Sequence, residues 1–322
     1  MTDLPERVEI IEEGPREGFQ SEPPGIATRD KIRLIEALAE TGLRHITCAS
    51  FVSPKLLPQM ADAERIAEGI DQKLGVEYGA LWLNDSGFRR AQATSFTLRP
   101  VLFASASDTF LLKNNNRTPD RSLAEQMAMR GLYDEAGLGR SPLYIFTAFG
   151  CNYEGSVPVD KVLAAVERLI SGLADLGQKP SEICLCDTIG AANPTLVRRV
   201  IGAARDRWPD LPIALHLHDT RGLGIANAAA GLDLGVSRFD SSIGGLGGCP
   251  FAGNRAAAGN IATEELVFLC EEMGVDTGVD LEQAISVATL AEQIVGHPLP
   301  GRIMKAGSLK RFRARATAEV AQ

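Results

Sequence analysis

His216-Leu217-His218 gathers two of the chain's four histidines into one tripeptide. The run before it, Ile213-Ala214-Leu215, is apolar and follows Pro212, which predicts a buried strand over 213–219. Side chains two apart on a strand project to the same side, so His216 and His218 enter one space, as two imidazole ligands of a metal must. A pair of hydrogen-bonded core histidines would have the same spacing, and from the tripeptide alone both readings stand.

Two histidines need an anionic ligand to hold Mg²⁺ or Mn²⁺, with water or substrate oxygens filling the other positions. Glu17 suits that role, because it opens the loop after the first predicted strand, and in a closed eight-stranded barrel strand 8 alone separates strands 1 and 7. Arg16, a permanent cation, suits a carbonyl or a developing oxyanion instead; taken alone, Arg16-Glu17 is equally a surface ion pair. In Gly244-Gly245-Leu246-Gly247-Gly248-Cys249-Pro250, glycines flank a thiol, which describes a loop that bends tightly and approaches a ligand closely. Cys249 is there either an acid or base covering a substrate or a small residue in a tight turn. Asn260 offers an amide oxygen to a metal, or caps the helix it precedes.

These residues need a scaffold that brings them together. Short apolar runs at 8–13, 45–51, 77–83, 100–104, 142–149, 182–187, 213–219 and 238–243 alternate with helical patterns at 28–41, 58–70, 122–135, 158–176, 195–207 and 224–234. Eight strand–helix units in this length predict an α/β fold, a (β/α)8 TIM barrel with extra C-terminal helices, the first of them over 281–295. The barrel is expected over 1–275, with 276–322 packed on or near it. An open doubly wound sheet is the competitor, but no GxGxxG follows the first strand. In a barrel, functional residues belong at the carboxyl ends of strands; Arg16, Glu17, Asp187, His216, His218 and the glycine-rich loop all fall there.

Composition narrows the function. A net charge of −8 argues against a nucleic-acid surface and against anionic membranes. No apolar run approaches a membrane span, and the N-terminus lacks the basic start and apolar core of a signal peptide. Six scattered cysteines fit reduced thiols in the cytoplasm. Cys184-Leu185-Cys186 is more simply two small apolar residues on one strand face than a metal site.

The motifs together resemble the 3-hydroxy-3-methylglutaryl-CoA lyase family, within a group of metal-dependent TIM barrels that includes homocitrate and isopropylmalate synthases. The resemblance is carried by Gly14-Pro15-Arg16-Glu17-Gly18-Phe19-Gln20, Ser50-Phe51-Val52-Ser53-Pro54-Lys55, Gly150-Cys151-Asn152-Tyr153-Glu154-Gly155, Asp187-Thr188-Ile189-Gly190, His216-Leu217-His218-Asp219-Thr220, the Cys249 loop and Gly259-Asn260-Ile261-Ala262. It implies that Glu17, His216, His218 and Asn260 hold a divalent metal, Mg²⁺ or Mn²⁺. It also implies that Arg16 stabilises a thioester enolate, that Cys249 is the loop acid/base, that Asp187 positions the 3-hydroxyl, and that His216 serves as base as well as ligand. Gln20, Asn84, Lys55 and Lys113 are the expected contacts to an acyl-CoA substrate, although for Asn84, Lys55 and Lys113 a solvated loop is the simpler account. A homodimer or larger homo-oligomer is the expected assembly.

Three positions depart from the family pattern. Glu17 stands where most of these lyases have aspartate. The segment between Cys249 and Asn260 is two residues longer than usual and carries Arg255. Thr47 stands where the family usually has a glutamate that braces the arginine and ligand of strand 1, and the sequence reveals no replacement. Three alternatives to the methylglutaryl-CoA lyase reaction therefore stay open: a lyase of another 3-hydroxy-3-alkyl acyl-CoA such as a citramalyl thioester, a Claisen-condensing synthase, and a non-catalytic acyl-CoA-binding barrel.

Overall fold

The computed structural model describes residues 4–248, 257–310 and 312–313. Eight parallel strands form one curled sheet: β1 (Glu9–Glu12), β2 (His45–Ser50), β3 (Glu77–Leu81), β4 (Leu102–Ser105), β5 (Leu143–Phe146), β6 (Ile183–Cys186), β7 (Ile213–His216) and β8 (Arg238–Ser241). Their order, β3-β2-β1-β8-β7-β6-β5-β4, is the circular order of a TIM barrel, because β1 pairs with both β2 and β8. Between β3 and β4, the approach to β4 is tied in by Thr97, whose N–H donates to the Tyr78 carbonyl at 2.7 Å. Seven of the eight strands lie inside the segments expected from the apolar runs, β4 runs one residue past its own to Ser105, and helices cover the outside. The prediction over 58–70 resolves into a short turn at Pro58–Met60 and a helix at Ala63–Gly69. Two helices of eight residues were not expected: Asp85–Gln92, which is amphipathic but barely two turns long, and Asp108–Asn115, which has no apolar stripe.

Strand alternation sorts the side chains into two cores. Ile10, Ile46, Tyr78, Leu143, Ile145, Ile183, Leu185, Ile213, Leu215 and Phe239 belong to the large apolar core that the helices seal. Cys184, Cys186 and Ala214 form a separate small cluster with Tyr144 and Phe146 inside the barrel, which is the role two small apolar residues on one strand face would have. At its amino end the interior is ionic: Arg238 pairs with Glu9 and, at 2.7 Å, with Glu182, which also takes Arg99 at 2.8 Å. Paired in this way, the charges avoid the cost of lone burial.

The chain beyond the eighth unit returns to both ends of the barrel. Asp276 accepts from the Val8 amide and Asp280 donates to the Thr41 carbonyl, closing the amino end. Helix Leu281–Val295 then packs on the helices Thr28–Glu40 and Thr263–Glu272, and Leu299 and Pro300 reach the turn after β8. There the Gly301 amide donates to the Gly244 carbonyl at 3.0 Å. None of the helices among the described residues is long and apolar enough to cross a membrane.

Candidate active site

The site begins one residue past β1. The Glu13 carbonyl accepts from the amides of Arg16 at 3.1 Å, Glu17 at 2.7 Å and Gly18 at 3.3 Å, so Gly14–Gly18 winds as a single wide π-helical turn. Pro15 suits its start, having no amide to satisfy there. A Cβ on Gly18 would lie 2.7 Å from Leu246 Cγ, and one on Gly247 would lie 3.0 Å from Gly18 Cα. The glycines thus let the turn after β1 and the turn after β8 pack backbone to backbone. Gly247 also has φ +111°, which side-chain-bearing residues rarely adopt.

The π turn directs Arg16 and Glu17 inward. Arg16 Nε donates to Glu13 Oε2 at 2.8 Å, Nη2 pairs with the same carboxylate, and Nη1 meets Glu17 Oε2 at 2.8 Å. Thr47 Oγ1 donates to the other Glu13 oxygen at 2.8 Å. Arg16 therefore does have a carboxylate brace, and its source is the residue that follows β1 rather than β2. Thr47 contributes a hydroxyl to that carboxylate. Arg16-Glu17 is an ion pair, as the dipeptide alone allowed, but it is held within the barrel mouth with little exposure.

Strand β7 ends at His216, three residues earlier than the apolar run predicted. His218 lies beyond it and pairs instead with Asn260, in an antiparallel bridge closed by Asp219 N–H to Gly259 C=O at 2.7 Å and Ile261 N–H to Leu217 C=O at 3.0 Å. In such a pair the two side chains share a face. Asn260 is therefore no helix cap; the cap position of the following helix is Ala262. The Nε2 atoms of His216 and His218 are 3.2 Å apart, and Glu17 Oε1 is 3.6 and 3.5 Å from them. Ligand atoms bound at right angles to Mg²⁺ stand about 3 Å apart, which this triangle nearly matches. Asn260 Oδ1 is buried without a hydrogen-bond partner among the described residues, as an oxygen awaiting a cation would be. The donor set, one carboxylate, two imidazoles and an amide oxygen, fits a divalent cation.

Electrostatics agree. Burial works against the charge on Glu17, yet Arg16 and His216 hold its carboxyl well below the usual range. Burial likewise disfavours the His216 imidazolium, but Glu17 and Asp240 hold its pKa well above the ordinary value in the absence of a cation. Asp240 was not legible as a site residue. It faces His216 across the β7–β8 register, and its Oδ2 lies 3.0 Å from Nδ1 of that ring. Its only sequence signal is an acid inside an expected strand, two residues from Arg238 and so on the same side of β8.

The remaining expected residues are placed less uniformly. Asp187 directly follows β6 within the mouth, where Ala191 N–H donates to Oδ1 at 2.8 Å and Ala192 N–H at 3.2 Å; burial raises its carboxyl above the ordinary value. Its visible work is to hold the loop that follows. Gln20 sits in the turn after Gly18, with Oε1 buried and unpartnered among the described residues. Lys55 is exposed in the loop after β2. Asn84 caps the helix Asp85–Gln92, its side chain accepting from Gly87 N–H at 2.9 Å. Lys113 is exposed on the last turn of helix Asp108–Asn115, not in a loop; the chain leaves the helix at Asn116, whose φ is +53°. Cys249 and Arg255 lie outside the described residues. Thr147 was also missed: it has φ +57° at the end of β5 and is held by Thr188 Oγ1, which accepts its amide at 2.8 Å. Backbone strain of this kind collects at functional sites.

The chain as a whole resembles known proteins. A family model described as HMGL-like matches residues 7–291. Hydroxymethylglutaryl-CoA lyase YngG of Bacillus subtilis is 43% identical over 298 residues, covering 92% of this chain and 96% of that protein. The crystal structure of a B. subtilis HMG-CoA lyase superposes with a TM-score of 0.86 at 41% identity, covering 94% of this chain and 98% of the other. An HMG-CoA lyase of Acinetobacter baumannii, solved with coenzyme A and 3-methylmalate, superposes with a TM-score of 0.81 at 36% identity, covering 94% and 96%. On the match of the family model over most of its length, and on these likenesses in sequence and barrel, the chain belongs to the hydroxymethylglutaryl-CoA lyase family.

Proposed function

We propose that this protein is a divalent-metal-dependent carbon–carbon lyase that cleaves 3-hydroxy-3-methylglutaryl-CoA to acetyl-CoA and acetoacetate. The observation that carries the reading is the triangle of Glu17, His216 and His218 with Arg16 ion-paired to the same carboxylate. It unites a cation site and a fixed positive charge at one barrel mouth, and a merely structural barrel needs neither.

Glu17, His216, His218 and Asn260 would hold Mg²⁺ or Mn²⁺, which, when bound, lowers the pKa of a chelated hydroxyl and orients the substrate oxygens. Asp187 orients the 3-hydroxyl, and we assign acceptance of the hydroxyl proton to His216, at Nε2 when that atom is not engaged as a ligand, Nδ1 being held by Asp240. The C2–C3 bond then breaks. Its electron pair moves into the thioester as an enolate, and C3 becomes the ketone carbon of acetoacetate. Arg16 stabilises the enolate oxygen; braced by Glu13 and Glu17, it needs little reorganisation to do so. A proton delivered to C2 completes acetyl-CoA, and we assign that delivery to Cys249, whose loop begins where Gly247 packs on Gly18. We assign a substrate contact to Gln20, whose neighbour Ser21 donates to the Gly248 carbonyl at 3.3 Å. The exposed Lys55 and Lys113 suit the phosphates of coenzyme A, and Asn84 keeps its neighbouring helix in register. The buried, unbridged thiols of Cys48, Cys151, Cys184, Cys186 and Cys270 support a cytoplasmic setting, and a second copy of the chain is the partner we expect.

Mass-spectrometric detection of acetyl-CoA from 3-hydroxy-3-methylglutaryl-CoA, with Mg²⁺ or Mn²⁺ and with EDTA, tests the reading. Metal-dependent release is the expected result. No release by a protein that still binds the metal would overturn the substrate assignment and direct the search to other 3-hydroxyacyl-CoA thioesters.

A further inference from the structure

We propose that Glu13 is the positioning residue for Arg16, supplying from the position just past β1 the carboxylate brace that this chain does not carry at position 47. The inference rests on the reading of Arg16 as the group that meets the enolate. Glu13 is linked to Arg16 twice. Its carbonyl nucleates the π turn on which Arg16 stands, and its Oε2 accepts from Arg16 Nε at 2.8 Å and pairs with Nη2. One edge of the guanidinium is thereby closed, and Nη1 is directed to Glu17. The carboxylate itself cannot swing, because Thr47 Oγ1 donates to its Oε1 at 2.8 Å from the neighbouring strand. Glu13 is 5% exposed, so water competes little for these bonds.

The same contacts explain why residue 47 is a threonine here. The side chains of residues 13 and 47 enter one space between β1 and β2, 2.8 Å apart. Two carboxylates in that space would repel each other, whereas a carboxylate and a hydroxyl share a proton. Glu13 also bears on the cation site. A buried Arg16 lacking it would have Glu17 as its one remaining ion-pair partner among the described residues, and would draw that carboxylate away from His216 and His218. Glu13 takes up the arginine's charge and leaves Glu17 Oε1 to face the imidazoles.

The test is the set Glu13→Gln, Glu13→Val, Thr47→Glu and the exchange variant Glu13→Val/Thr47→Glu. Near-UV circular dichroism would confirm that each is folded. If Glu13 acts through the position of Arg16, Glu13→Val lowers kcat on the order of 10²-fold with KM nearly unchanged, Glu13→Gln lowers it less, and the exchange variant recovers most of the loss. Thr47→Glu alone, with two carboxylates in one space, is also impaired. Full kcat in Glu13→Val, or a folded exchange variant no better than Glu13→Val, would overturn the proposal. A readout independent of substrate separates this from failure of the lyase reading. In ¹⁵N-arginine-labelled protein, a slowly exchanging Nε–H resonance that Arg16→Lys removes should be present in the wild type, lost in Glu13→Val and restored by the exchange. Its persistence in Glu13→Val would refute the brace whatever the substrate. A wild type that shows the resonance but releases no acetyl-CoA would keep the brace and reject the reaction.

Discussion

Asp240 Oδ2 lies 3.0 Å from His216 Nδ1, between residues that are direct partners in the β7–β8 register. The carboxylate favours the proton on Nδ1, so that Nε2 is the nitrogen turned toward Glu17 and His218. Tyr144 supports it weakly from across the barrel, with Oη 3.4 Å from the other Asp240 oxygen. Replacing Asp240 by asparagine keeps the shape and loses the charge. Mn²⁺ affinity, measured by electron paramagnetic resonance, should fall about 10- to 100-fold, with thermal stability little changed. An unchanged affinity would mean that the pair is structural only.

Removing a ligand and removing the loop thiol should separate binding from turnover. His218→Ala deletes one of the two imidazoles and should abolish metal binding in a titration. Cys249→Ala should keep the metal and lose turnover. Full activity in Cys249→Ala would dismiss the thiol as the proton donor to C2.

Gly247 couples the turn after β8 to the turn that carries Arg16. Gly247→Ala places a methyl 3.0 Å from Gly18 Cα on a backbone with φ +111°. Destabilisation of about 1–3 kcal/mol in urea unfolding is expected. Because the displaced partner is the turn that carries both Arg16 and Glu17, kcat and metal affinity should drop together. A variant that loses stability and keeps kcat would show that the contact does not control Arg16.

Glu264 predicts a pH dependence of stability. Burial raises its carboxyl from 4.5 to about 8, against the Gly244 amide that donates to Oε2 at 2.8 Å and favours the charged form. Below pH 4.5 folded and unfolded chains both hold this proton, and the group contributes no pH dependence. Between 4.5 and about 8 the folded chain keeps a proton that the unfolded chain releases, so stability falls as pH rises; above about 8 the slope disappears. The slope approaches about 1.4 kcal/mol per pH unit at most. Glu264→Gln cannot titrate and should remove this part of the dependence. The gap in unfolding free energy between variant and wild type should therefore widen in favour of the variant from pH 5 to pH 8. A constant gap would mean that Glu264 is ionised in the folded protein.

Much of this protein is legible in its sequence, because its barrel is built from local signals. Apolar runs of strand length alternate with amphipathic helices, and each strand's alternation alone decides which residues enter the barrel and which meet the helices. That period also puts His216 and His218 on one side and brings Arg16, Glu17 and Asp187 to the carboxyl ends of their strands. The tertiary structure decided what no local signal encodes. Whether Asp240 meets His216 depends on the register of β7 against β8, and whether Asn260 faces His218 or caps a helix depends on a bridge between segments about forty residues apart. The missing carboxylate at Thr47 could not be located from the sequence, because Glu13 looks like the end of a strand until β2 is set beside β1. Only then do Glu13, Thr47 and Arg16, far apart or unremarkable in the chain, become one hydrogen-bonded group. Side-chain period is a property of each strand by itself, whereas register and the contacts across it belong to pairs of strands, and the barrel fixes those pairs only when it closes.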